Sequence, residues 1–157
     1  MSIRNKILQA LPSAGSGSGR AEIAISAPAG SLVIDVVAAD VIGCSIQSLR
    51  LDSTRLQGAS AEQLKQLGER LAGKLTYLLE PLRPIELDLD GFLLQMRSNP
   101  PQKDEDGSQY YEILARREGL RLCRFQKERG QPRREIPAHL TREVLARLGE
   151  DFAGVMS

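Results

Sequence analysis

The densest chemistry in this sequence is cationic. Residues 116–134 hold eight basic side chains, Arg116, Arg117, Arg121, Arg124, Lys127, Arg129, Arg133 and Arg134, against two acidic ones, Glu118 and Glu128. A guanidinium is a planar fork that binds two oxygens of a phosphate or carboxylate at once. Arg117, Arg121, Arg124, Lys127, Arg129, Arg133 and Arg134 are therefore the candidate anion-binding set. Tyr110, Tyr111 and Phe125 lie nearby in sequence and offer faces on which bases stack. An opposing block, residues 80–112, carries eight acidic residues against three basic. If an acidic strand at 85–90 lies beside basic strands across 116–124, the blocks neutralise each other, at ~0.2–1 kcal/mol per exposed pair. Loop positions Arg129, Arg133 and Arg134 fit that internal pairing least well.

Other reactive residue types form no recognisable constellation. His139 is the single histidine and stands just before an expected helix, with no GxSxG motif in the chain. It reads as a capping or surface residue. Glu86, Asp88 and Asp90 alternate with leucines, which is the pattern of a strand with one wet face. A calcium loop needs Glu at its twelfth position, and counted from Glu86 that position is Arg97. Gly15, Gly17 and Gly19 lack the Lys-Ser/Thr that completes a phosphate loop. Asp35 and Asp40 lie in an apolar strand, where a carboxylate is catalytic if its pKa is raised and structural if it is paired. Cys44 and Cys123 form no CxxC pair and read as buried thiols in a reducing cytosol. No catalytic residue, metal ligand or cofactor is assigned.

Elements must position these side chains. Ile3, Ile7, Leu8 and Leu11 share one face of a short helix over residues 2–11. The Gly/Ser run 13–19 reads as a flexible linker. Residues 1–12 are thus a tethered arm that docks on its own domain, a sister subunit or a partner. Its four apolar side chains are the candidate partner-binding set. Residues 21–27, 32–38 and 44–53 read as strands, with a bulge between Ile46 and Leu49. Ser60 and Gln63 form a capping box. Leu64, Leu67, Leu71, Leu75, Leu78 and Leu79 then predict a helix of about five turns, halted by Pro81 and Pro84. Gly68 and Gly73 inside it each cost about 1 kcal/mol relative to Ala and suit a close approach to a sheet. Residues 85–98 read as one long strand with its parity broken at Gly91. A hairpin over 109–127 turns at Glu118-Gly119, a short edge strand spans 134–137, and a helix runs over 140–152.

Helices do not alternate regularly with strands, so the pattern predicts an α+β domain rather than a doubly wound sheet. The expected sheet has five to seven mainly antiparallel strands, one face covered by the long helix. The expected organisation is arm 1–12, linker 13–19 and a single domain over 20–157. The chain has 157 residues, 41% of them apolar, and a net charge of +1, as suits a soluble, cytoplasmic protein. Near-neutral charge argues against a uniformly basic nucleic-acid binder. The longest apolar stretch, residues 32–44, is too short to span a bilayer as a helix, so no membrane partner is expected. The leading expectation is a non-enzymatic protein-interaction, adaptor or chaperone-like module, partnering another protein or its own copy. The alternatives are nucleic-acid or polyanion binding through 116–134, and an enzyme whose site assembles from scattered residues.

Overall fold

The computed structural model describes residues 1–12, 20–78, 80–88, 90–98, 101–105 and 107–156. The Gly/Ser run 13–19 and Leu79, both named above, lie outside the described residues. The elements are α1 (Ile3–Ala10), β1 (Ala21–Ala27), β2 (Gly30–Ala39), β3 (Gly43–Asp52), α2 (Ala61–Lys74), β4 (Leu82–Asp88), β5 (Leu93–Ser98), β6 (Gln102–Lys103), β7 (Gly107–Arg116), β8 (Gly119–Glu128), β9 (Arg134–Ile136), β10 (Ala138–Thr141) and α3 (Arg142–Val155).

The main path of the sheet is β1-β2-β3-β8-β7-β5-β4, and every pairing within it is antiparallel. The chain is thus α+β. The strand count exceeds the expected range, because β6, β9 and β10 add three short strands at its margins. Strands β3 and β8 pair only over Leu49–Asp52 and Gly119–Leu122, then part. Residues 134–141 line the resulting fork. β9 enters along β8 and β10 leaves along β3, with Pro137 between them. Pro137 has no N–H to leave unpaired at that apex.

Three expectations need correcting. Residues 85–98 are not one strand. They belong to a hairpin, β4 and β5, whose turn carries Phe92 at φ 49°. The leucine-rich helix ends at Lys74, well before the prolines, and Leu75 leaves helical geometry at ψ 57°. Consequently no single long helix covers the sheet. Fourteen-residue helices α2 and α3 share the task, with α1 added. The capping box forms as the spacing requires, Ser60 Oγ accepting from Gln63 N and Gln63 Oε1 accepting from Ser60 N. Gly68 lets α2 approach the sheet, since a Cβ there would lie 3.0 Å from Leu94 Cδ2. Gly73 faces open space.

Side chains alternate across each strand. Leu32, Ile34, Leu49, Leu51, Leu94, Met96, Tyr111, Ile113, Leu120 and Leu122 share one core with the helices. Their sequence neighbours Asp35, Arg50, Arg97, Glu112, Arg121 and Cys123 stand on the opposite face, which no helix of the described residues covers. No helix of the described residues is long and apolar enough to cross a membrane.

Candidate functional site

The helix-free face is built in cross-strand rows. Arg97 pairs in register with Glu112, and Glu112 with Cys123. One row along, Tyr110 is opposite Phe125. Glu112 is fully buried although no helix lies over it. The loop between β8 and β9 covers it by sending Arg133 back across the sheet. Arg133 Nη1 donates to Glu112 Oε2 at 2.5 Å and to Tyr110 Oη at 3.4 Å. Gln95 Nε2 donates to the same carboxylate at 3.0 Å, and Arg97 Nη2 stands 3.8 Å from it. A buried carboxylate is costly alone, and two guanidinia offset that cost. The hydrogen bond to Glu112 raises the Arg133 pKa above its ordinary value, against the opposing effect of burial.

Both guanidinia lie on aromatic faces. Arg133 is 3.9 Å from the Phe125 ring centre and Arg97 is 4.4 Å from that of Tyr110. The two rings stack on each other at 5.9 Å. Such contacts hold cations in place while leaving donors free for other partners. Beside this stack opens a cleft of about 570 Å³, within the range of ligand pockets. Arg97, Lys127 and Arg133 bring three cations to its wall, with Tyr110, Ile85 and Pro101, and among the described residues no acidic one lines it.

The other members of the expected anion-binding set are dispersed. Arg124 lies on the helix side of the sheet, buried, 3.2 Å from Glu80 and 4.5 Å over the Tyr111 ring. Glu80 also accepts from Ser98 Oγ, which itself accepts from the Tyr111 amide. Arg124 is therefore a core residue and is withdrawn from any open anion site. Arg121 pairs with Glu135 at 2.6 Å, and Arg134 stands 3.7 Å from Glu128. Arg117 covers the Phe92 ring and donates to Gln57 O. Lys127 Nζ donates to the carbonyls of Glu128 and Gln131, which ties down the loop that carries Arg133. Arg129 is exposed, with no partner among the described residues.

Internal charge pairing thus exists, but not between the expected strands. β4 and β8 are separated by β5 and β7. Glu80, Glu112, Glu128 and Glu135 neutralise the arginines instead. Arg133, the supposed misfit, pairs with the most buried of these carboxylates, while the pair most enclosed as a whole is Arg124–Glu80.

Of the three placements expected for the arm, the structure has the first, docking on its own domain. Ile7 and Leu11 are buried, and Ile3 and Leu8 pack against the same core. These four side chains, expected to face a partner, face the domain's own α3 and β1. Arg142 on α3 donates to the carbonyls of Leu8, Leu11 and Pro12, which satisfies the open end of α1.

The remaining candidates are structural. Asp35 is paired with Arg20 at 2.9 Å, and that hydrogen bond lowers its pKa. Asp40 accepts from the amides of Gly43 and Ile42, which lower its pKa and close the β2–β3 turn. His139 lies on β10 with Nδ1 2.7 Å from Ser45 Oγ, while the cap of α3 is Thr141. Asp88 accepts from Gly91 N in the β4–β5 turn. Cys44 and Cys123 are free, buried thiols, pushed up by burial to about 11 and about 12.

Sequence reasoning missed Arg97 and Glu112 as site residues. Parity held the signal. Ile113 and Tyr111 belong to the core face, so Glu112 between them must face the other way. Nothing in the sequence set Arg133 above it. Compared with protein-family models, curated proteins and solved structures, this chain matches none of them.

Proposed function

We propose that this chain is a non-enzymatic protein-interaction domain that receives its partner on the helix-free face of the sheet. One observation carries the reading. Arg97, Lys127 and Arg133 reach a single cleft from three separate segments, between apolar Ile85 and Pro101 and the ring of Tyr110. Arginine and tyrosine anchors beside apolar contacts are the composition of binding hot spots. Ile85 supports the reading because it is 48% exposed on the edge strand β4. A polyanion grip is the weaker alternative, since Arg121, Arg124 and Arg134 are each engaged by a carboxylate.

The test is selection from a displayed random-peptide library on immobilised protein, with Lys127→Glu protein as the counter-selector. Peptides that bind the native protein and lose affinity for the variant support the proposal. Peptides indifferent to Lys127, or a library that yields none, contradict it.

A further inference from the structure

Arg97 holds its place with its hydrogen bonding incomplete. It is fixed over Tyr110, yet among the described residues it donates no hydrogen bond. Its contact with Glu112 is an ion pair at 3.8 Å, and its buried Nε has no partner among the described residues. Its side chain is 37% exposed on the cleft wall. Arg133 beside it spends one strong bond on Glu112, and its second nitrogen stands 3.4 Å from that carboxylate. The cleft thus offers two ring-mounted guanidinium forks and the Lys127 ammonium. Among the described residues, Glu112 is the one carboxylate that pairs with these arginines, and the described lining of the cleft is cationic.

Building on the protein-binding reading, we infer that the cleft receives the side-chain carboxylate of an acidic partner segment. The incoming carboxylate pairs with the fork of Arg97 and shares Arg133 with Glu112. Glu112 is then an internal competitor that keeps the arginines in place when no partner is bound. Ile85 and Pro101 supply the apolar wall for the stem of the acidic side chain. Planar, two-oxygen recognition is what arginine does better than lysine.

The probe is capped tetraglutamate, with capped tetraglutamine as control, titrated into ¹⁵N-labelled protein at low salt. The readout is the Nε–Hε signals of Arg97 and Arg133. The expected result is a saturable shift of both signals with tetraglutamate and none with tetraglutamine. Arg97→Gln should weaken binding roughly tenfold, the worth of a charge-assisted pair. Glu112→Gln keeps the shape, removes the competing charge and should tighten binding about fivefold. Thermal melts of both variants establish that they fold. Equal response to both peptides, or unchanged affinity in Glu112→Gln, overturns the inference. So does an equal or stronger response to inorganic phosphate or to octathymidylate. A library peptide that binds this cleft without an acidic side chain sinks the inference and leaves the protein-binding reading standing. Absence of any peptide binding at the cleft sinks both.

Discussion

Arg133 and Glu112 lie 21 positions apart in sequence and meet at 2.5 Å on the face of the sheet that carries no helix. The contact joins a loop to the middle of β7. It fixes the loop, shields the carboxylate and forms one wall of the cleft. The same two residues therefore serve folding and the proposed binding.

The first prediction follows from that double role. Arg133→Glu places a carboxylate against a buried one and should destabilise by about 3–5 kcal/mol. Arg129→Glu, on the same loop with no described partner, should stay within about 0.5 kcal/mol. Urea denaturation of the two variants checks this. Equal midpoints would show that Glu112 does not depend on Arg133.

The second concerns the arm. A Cβ on Gly149 would lie 2.3 Å from Ile7 Cδ1 and 3.0 Å from Leu32 Cδ2. Ile7→Ala should cost about 2–5 kcal/mol through the cavity it leaves. Gly149→Ala should cost about 1–3 kcal/mol through overpacking. The double variant should cost clearly less than the two added, because each change relieves the other. Additive losses would mean that α1 does not dock on α3. Deleting residues 1–12 should lower the melting temperature, since Ile7 and Leu11 belong to the core.

The third is acid sensitivity. Arg20 lowers the pKa of Asp35, and backbone amides lower that of Asp40. Burial raises that of Glu135, but hydrogen bonds from Arg121 and Gln47 outweigh it. A depressed carboxylate stabilises above its unfolded value, near about pH 4, and that stability is lost as pH falls through the folded value. The urea midpoint should be flat above about pH 5 and fall below about pH 4. Arg20→Gln and Arg121→Gln should make the fall shallower. A fall that begins near neutral pH would contradict the assignment.

The fourth concerns the thiols. Burial raises both thiol pKa values, to about 11 for Cys44 and about 12 for Cys123. The neutral form is favoured, so that stability is full below the unfolded value near about 8.5 and is lost as pH rises beyond it. Neither thiol should react with Ellman's reagent in the native protein at neutral pH. Both should react once urea unfolds it. Rapid native labelling of either would place it at the surface.

Legibility in the sequence followed the range of the interactions. The Ser60–Gln63 box, the Glu118 turn and the bulge near Gln47 are local, and spacing revealed them. The end of α2 was misread because leucines at 75 and 78 continue the apolar pattern after the helix has stopped. Both are buried, so burial rather than helicity kept them apolar. The β4–β5 turn was missed because Gly91-Phe92 breaks parity as a bulge would. The site was legible only in part. Lys127 and Arg133 belonged to a visible basic cluster, whereas Arg97 lay alone in a strand. Its meeting with them depends on β5 pairing with β7, a non-local register that composition does not encode.

The central claim is that the helix-free face receives a protein partner. Amide hydrogen exchange, with and without a library-selected peptide, tests it most directly. The account predicts new protection confined to β4, β5, residues 101–110 and residues 127–133, with α1 and α3 unchanged. Protection on α1 and α3, with none around the Arg97–Arg133 cleft, would contradict it.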